Sequence, residues 1–317
     1  MTDAVRSLWY TAPGKAEWRT ERLPAPGAGD CLVRTLYTGV SRGTESLVSR
    51  GLVPPSEYGR MRAPFQAGDF PFPVKYGYSA VGTVDGLGTV FCLFPHQSAF
   101  VVPRGWLTVL PEGVAPRRAL LGANMETALN GIWDAGALPG MRIAVVGAGV
   151  LGCLLSWLCG RLPGSSVTLV DVMPQRAATA RTLGVGFALP TEAPQDCDLV
   201  FHTSANPAGL ATAIGCAGTE AAVVEMSWYG AGDTPVPLGG AFHSKRLRLV
   251  ASQVGQVAPV MRPRRSHSDR LAIALGLCAD PVLDVLLEPD CPVDAAPARL
   301  PRVLEPGSGI LCQPIAY

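Results

Sequence analysis

The run from Arg142 to Gly152 constrains this chain more than any other segment. An apolar, strand-like stretch ends in Gly147-Ala-Gly149-Val-Leu-Gly152 and passes straight into an apolar, helix-like one. Each glycine of this GxGxxG spacing has its own use. Gly147 permits a tight turn, Gly149 lets a pyrophosphate approach the backbone, and Gly152 lets helix and strand pack closely. The first turn of the helix, with Val150 and Leu151, then offers unpaired N–H groups to the phosphates. Spacing alone is weak support, and the context strengthens it. A second apolar run, residues 167–170, ends at Asp171, nineteen residues beyond Gly152. A carboxylate there accepts hydrogen bonds from the adenosine ribose, with Val172 beside it. It also repels a 2′-phosphate, which predicts NAD(H) ahead of NADP(H). Arg176 is the counter-argument: it either swings over to such a phosphate or lies on the solvated face of the next helix.

The same region has a second reading. Residues 143–160 contain no charge, the minimum length for a membrane span. The three glycines interrupt that run where a strand must turn into a helix, so we read it as strand, turn and helix. The surroundings agree. From about residue 118 a helix-like segment (118–135) is followed by alternating strands and helices at 142–146, 150–162, 167–170, 174–183, 198–202, 207–217, 221–226 and 247–251. Such alternation calls for a parallel, doubly wound sheet, an α/β Rossmann domain. Residues 1–117 are instead dense in Pro and Gly, with short strand-like runs at 31–37, 80–84, 89–93 and 99–102, which suits a β-rich domain. Beyond residue 252 come an Arg/Pro-rich stretch, a helix at 270–279, a short helical run at 282–287 and a strand at 310–315. The expected division is 1–117, 118–252 and 253–317, the last returning to the first domain.

Charge and cysteine content narrow the partners. Lys and Arg number 26 against 25 Asp and Glu, leaving no basic footprint for nucleic acid and no attraction to an anionic membrane. A small-molecule substrate is expected. The first ten residues carry Asp3 and Arg6 and lack an apolar core, so no signal peptide is read. The nine cysteines include no CxxC pair, which suggests neither a zinc knuckle nor a redox dithiol and suits a reducing cytoplasm.

Several further motifs carry a resemblance. Residues 24–34 (Pro-Ala-Pro-Gly-Ala-Gly-Asp-Cys-Leu-Val-Arg), Gly39-Val-Ser-Arg-Gly43-Thr44-Glu45, Tyr76-Gly77-Tyr78-Ser79-Ala-Val-Gly82 and Gly239-Gly-Ala-Phe-His-Ser-Lys-Arg-Leu247 follow one another in the chain. Together they resemble the medium-chain dehydrogenase/reductase superfamily, the alcohol dehydrogenase group, over nearly the whole chain. The resemblance implies a GroES-like β-rich catalytic domain, with the active site in the cleft between it and the Rossmann domain. It also implies that residues from about 253 rejoin the catalytic domain, and it leaves a homodimer as a family expectation.

The departures are informative. Zinc members carry a Cys where Ser41 or Arg42 stands here, and a zinc His where Tyr78 stands. Only Glu126 resembles a third ligand, and one carboxylate cannot make a three-ligand catalytic site. The four-cysteine structural lobe is missing as well. No zinc is therefore expected, and Tyr78 with Gly43-Thr44-Glu45 resembles the branch containing bacteriochlorophyllide hydroxyethyl dehydrogenase.

Without a metal, a positioned acid must neutralise the charge that hydride transfer leaves on oxygen. Tyr78 is the first candidate, with Glu45 holding its hydroxyl; the alternative is a packing residue filling the hole. Thr44 matches the family's hydroxyl relay, whose downstream His is Leu47 here. His96 enters by resemblance or is a structural His. Glu126 is a general base, a holder of a cationic substrate, or a carboxylate placed by the helix dipole. Ser204, Ser227 and Ser252 follow successive strands on the cofactor side, and Trp228, Tyr229 and Gln253 are candidate substrate-wall residues. His202, His243 and His267 read as loop or capping residues, and the arginines 262, 264, 265 and 270 as a solvated connector or an anion site.

The expected activity is zinc-independent, NAD(H)-dependent transfer of hydride between nicotinamide and a small-molecule alcohol/ketone pair. Enone or imine reduction is the nearest alternative. A redox-neutral enzyme with held NAD and a non-catalytic nucleotide-binding protein are the others.

Overall fold

The computed structural model describes residues 4–317; Asp3, used in reading the first ten residues, lies outside them. The chain forms two compact units, one of residues 1–123 with 275–317 and one of residues 124–274.

In the β-rich unit the N-terminal strands are β1 (Ala4–Ala12), β2 (Lys15–Arg22), β3 (Asp30–Val40), β4 (Ala80–Val84), β5 (Gly88–Cys92) and β6 (Ala99–Pro103). Strands β1 and β2 form a hairpin, to which the short strands Val74–Lys75 and Ala67–Gly68 add an edge. The second sheet runs β3, β4, β5 and Thr108–Val109, with β6 also on β3. On its other side β3 takes the strand Gln313–Ala316, so the end of the chain completes the sheet. Alternate residues of these strands face one core, where Val33, Val90, Phe100 and Val102 are buried and Phe94 stacks on Phe100 at 3.9 Å. Helix α1 (Arg42–Ser49) leaves the end of β3.

The second unit holds β7 (Arg142–Val146), β8 (Ser166–Val170), β9 (Gly186–Ala188), β10 (Cys197–His202), β11 (Ala217–Glu225) and β12 (Arg248–Ala251). All five pairings are parallel and the order is β9-β8-β7-β10-β11-β12. In order of appearance this is 3-2-1-4-5-6, the Rossmann order, whose switch point lies between β7 and β10. Helices α2 (Gly122–Ala135), α3 (Val150–Cys159), α4 (Arg176–Leu183), α5 (Pro207–Cys216) and α6 (His267–Leu277) belong wholly or mostly to it. The strands read as apolar runs because both faces are covered: Ile143, Val145, Leu169, Val200 and Val223 are all buried.

Residues 143–160 thus form β7, the glycine turn and α3. No helix among the described residues is long and apolar enough to cross a membrane. The units divide after Ala123 and Ala274, where the sequence reading placed the joins at 117 and 252. The shift at the second join has a visible cause. Arg270, taken for part of a solvated connector, is 1% exposed. Its guanidinium donates to Glu126 (3.0 Å), Asn130 (2.6 Å) and the carbonyls of Val254 and Gln256, tying residues 253–274 to α2.

Candidate functional site

The glycine turn of the Rossmann unit has the properties its spacing implies. Gly147 has φ +112°, and a Cβ on it would lie 2.8 Å from the Ser204 nitrogen. A Cβ on Gly152 would fall 1.8 Å from the Gly147 carbonyl oxygen, so only glycine lets α3 sit this close to β7. Gly149, which caps α3, is exposed, and a Cβ there would meet nothing within 4 Å. That is open backbone at a helix N-terminus, the geometry a pyrophosphate needs. Val150 and Leu151, in the first turn of α3, are half-buried.

Asp171 follows β8 at its carboxyl end. Its Oδ2 accepts from the Ala148 N–H at 2.6 Å and its Oδ1 from the Met173 N–H at 2.8 Å, which ties the end of β8 to the glycine turn. Each oxygen keeps a lone pair for a ribose hydroxyl. Val172 beside it is 76% exposed. Arg176 does not lie on a solvated helix face: it is buried at the start of α4, and its charge opposes, without overcoming, the burial that pushes the Cys153 thiol of α3 up to about 12.

The carboxyl ends of β10 and β11 carry a polar cluster. His202, the last residue of β10, is buried and pairs in register with Glu225. Its Nδ1 lies 2.7 Å from Glu225 Oε2 and its Nε2 2.7 Å from Ser204 Oγ. Tyr229 donates to Glu225 Oε2 at 3.0 Å, and the Ser227 N–H to Oε1 at 2.7 Å. Burial pushes the Glu225 carboxyl up, but the His202 and Ser227 bonds outweigh it and leave the group below its usual range. Burial and the Glu225 charge raise the Tyr229 phenol. Sequence reasoning treated His202 as a loop or capping residue. The signal it lacked was strand register, which sets His202 opposite Glu225.

Ser227 also accepts from the Ala205 N–H at 3.0 Å, so the loops after β10 and β11 are joined. Trp228 is half-buried, and Gln253 is exposed with its amide oxygen on the Gly255 N–H. Ser252 is buried and donates to Asp134 of α2 at 2.7 Å. Glu126 is no free base: it is buried against Arg270, with burial raising its carboxyl more than the arginine lowers it.

In the β-rich unit, Ser41 is the N-cap of α1, and the hydroxyls of Ser41 and Thr44 lie by the Tyr78 phenol and favour its ionised form. Burial chiefly, then the Glu45 charge, pushes that phenol up to about 12. Arg42 is directed elsewhere, donating to the carbonyls of Val303, Ile310 and Glu305. Of the two residues weighed for the family's cysteine position, Ser41 is therefore the one at Tyr78.

Glu45 does not hold the Tyr78 hydroxyl as expected. Its Oε1 accepts from the Ser41 N–H at 2.7 Å, and its Oε2 meets the Tyr10 hydroxyl at 3.0 Å and His96 Nε2 at 2.9 Å. His96 Nδ1 lies 2.7 Å from the Thr38 hydroxyl, so both ring nitrogens are used inside the fold. Glu45 and His96 are 0% exposed, and His96 has no nitrogen left for a substrate. The carboxylate acts on Tyr78 through its charge and not as a hydrogen-bond partner of the hydroxyl.

Among the described residues no group of three or more His, Cys, Asp or Glu side chains could hold a metal ion. No family model matches the chain. Solved structures do. L-Idonate 5-dehydrogenase of Escherichia coli K-12 superposes with a TM-score of 0.79 at 14% identity, covering 100% of this chain and 99% of that one. An alcohol dehydrogenase of E. coli CFT073 complexed with NADH gives 0.78 at 15%, over 99% of both chains. A proposed zinc-binding dehydrogenase of Sinorhizobium meliloti 1021 bound to NADP gives 0.78 at 17%, over 99% of this chain and 100% of that one. The fold is theirs: a Rossmann unit with a GroES-like β-rich unit.

Proposed function

We propose that this protein is an oxidoreductase of the medium-chain dehydrogenase/reductase kind that uses NAD(H) and works without zinc on a small-molecule alcohol/ketone pair. The observation that carries the reading is the open turn at Gly149 beside Asp171, a dinucleotide site with a carboxylate at its adenosine-ribose end. Two of the neighbouring structures contain NADH and NADP respectively, and Asp171 favours the cofactor lacking a 2′-phosphate.

A catalytic zinc does not fit the donor set. Ser41 and Tyr78 stand where the family's ligands would be, and Glu126 is committed to Arg270. When bound, the nicotinamide exchanges hydride with the substrate carbon; the chain's part is the proton. Tyr78 is the candidate donor to the substrate oxygen. The phenol is protonated at neutral pH, as any tyrosine is, and the Ser41 and Thr44 hydroxyls beside it ease its ionisation against the burial that raises it. The alternative acceptors, an enone or an imine, need the same donor. We expect the protein in the cytoplasm. A second copy is the partner that the resemblance to the medium-chain dehydrogenases leads us to expect.

The test is direct. Purified protein should bind NADH more tightly than NADPH, contain no stoichiometric zinc, and oxidise NADH against some member of a carbonyl panel in the presence of chelator. Tighter NADPH binding would overturn the cofactor assignment, and one tightly bound zinc per chain would overturn the metal-free mechanism. Light scattering would settle the dimer.

A further inference from the structure

The cluster at the ends of β10 and β11 has a polarity that its bonds impose. Glu225 takes donors on both oxygens: the Ser227 N–H on Oε1, and the Tyr229 hydroxyl and His202 Nδ1 on Oε2. An ionised carboxylate only accepts, so Nδ1 must carry the imidazole proton. In the neutral ring Nε2 then presents a lone pair, and Ser204, at 2.7 Å, must donate its only hydrogen there. Ser204 is exposed. Its oxygen is left as an acceptor, a partner for a ligand hydroxyl and a poor one for a phosphate oxygen, which has no proton to give.

Position narrows which hydroxyl. The Ser204 nitrogen lies 2.8 Å from where a Cβ on Gly147 would be, so this loop packs on the glycine turn itself. Strand β10 flanks β7 on the side opposite β8, which leads to Asp171. A dinucleotide with its diphosphate at the turn has one ribose on each side of β7. Asp171 serves the adenosine side. We infer that Ser204 accepts a hydrogen bond from a hydroxyl of the second, nicotinamide-side ribose, and that His202 and Glu225 are positioning residues that keep Ser204 in its accepting state. The inference rests on the dinucleotide reading above and adds to it a recognition device built from the hydrogen-bonded chain Glu225–His202–Ser204.

Calorimetric titration of the whole protein tests it with three probes. NADH and ADP-ribose carry the second ribose; AMP does not. Ser204→Ala should weaken NADH and ADP-ribose about 3- to 10-fold, the worth of one hydrogen bond, and leave AMP within about twofold. Ser204→Thr, which keeps a hydroxyl, should restore both. In ¹⁵N-histidine spectra, wild-type His202 should show a protonated Nδ1 and an unprotonated Nε2. The Nε2 signal should move with ADP-ribose in wild type and stay in S204A. Glu225→Gln should mix the two tautomers and weaken ADP-ribose binding. Unchanged ADP-ribose affinity in S204A, an equal loss for AMP, or a proton resident on Nε2 would overturn the inference while leaving the dinucleotide reading intact. A wild type that binds neither NADH nor ADP-ribose would overturn that reading, and this inference with it.

Discussion

Among the described residues are two glutamate–histidine pairs, one in each compact unit, and they differ in where their bonds end. In the β-rich unit His96 meets Glu45 at 2.9 Å with both side chains 0% exposed. Every bond made by that pair stays inside: to Thr38, to Tyr10 and to the Ser41 N–H. In the Rossmann unit His202 meets Glu225 at 2.7 Å, but the chain of bonds runs on to Ser204, which is exposed. The first pair is closed and fixes backbone; the second is open and presents an oxygen. The same two residue types therefore act as scaffold or as recognition group, according to whether the last partner can reach a ligand. A fully satisfied interior network rigidifies what it touches, and here it holds the start of α1, from which the Ser41 and Thr44 hydroxyls reach Tyr78.

The comparison can be broken most sharply at Tyr78, the group the closed pair supports. Tyr78→Phe removes one hydroxyl, and turnover at saturating substrate should fall by roughly 10²–10⁴, the usual worth of a positioned acid. NADH affinity, measured by fluorescence titration, should not change. Unchanged turnover would exclude Tyr78 as the acid, and lost affinity would make it a packing residue.

Next in size is the difference between the pairs in stability. Glu45→Ala leaves a buried imidazole and a buried tyrosine hydroxyl without their partner and should cost about 3–5 kcal/mol in denaturant unfolding. Glu225→Ala, nearer solvent, should cost about 1–2 kcal/mol. Equal costs would erase the distinction between closed and open.

Asp171→Ala sharpens the ligand side. NADH should bind more weakly by about 1–3 kcal/mol and discrimination against NADPH should relax. The variant also frees the Ala148 and Met173 N–H groups, so its melting temperature should be read alongside.

The smallest effect is on pH. The Glu225 carboxyl is lowered in the fold, burial opposing and the His202 and Ser227 bonds prevailing. Its contribution is present above the unfolded value and lost as pH falls through the folded one. Glu126 has the opposite sign: burial raises it above its unfolded value, so its cost appears as pH rises through that value and is complete above the folded one. Wild type and Glu225→Gln should therefore differ in stability at neutral pH and converge on acidification. A gap that widens toward acid would contradict the assigned direction.

Much of the Rossmann unit was legible because its signals are local. Residues 142–146 were read as the strand that forms, and the helices after the glycine turn and after Asn206 begin where expected. The hairpin β1–β2 was not read, since Lys15–Arg22 alternates half-buried with exposed polar residues and buries none fully. The helix Ala296–Leu304 was missed because Pro297 and Pro301 disguise it. Spacing alone picked out Gly147, Gly149, Gly152 and Asp171, whereas Glu45 was assigned to the Tyr78 hydroxyl and is bonded instead to the Ser41 N–H, Tyr10 and His96.

The sequence by itself determined the turn, its glycines and the carboxylate that follows β8, because strand, turn and helix are set by neighbours a few residues apart. Tertiary structure alone decided what each polar side chain bonds to. Glu45 turns to His96, fifty-one residues away, and Arg270 to Glu126, 144 residues away. A buried charge must find a partner or leave the core. Which partner it finds depends on the packing of segments that carry no mark of one another in the chain.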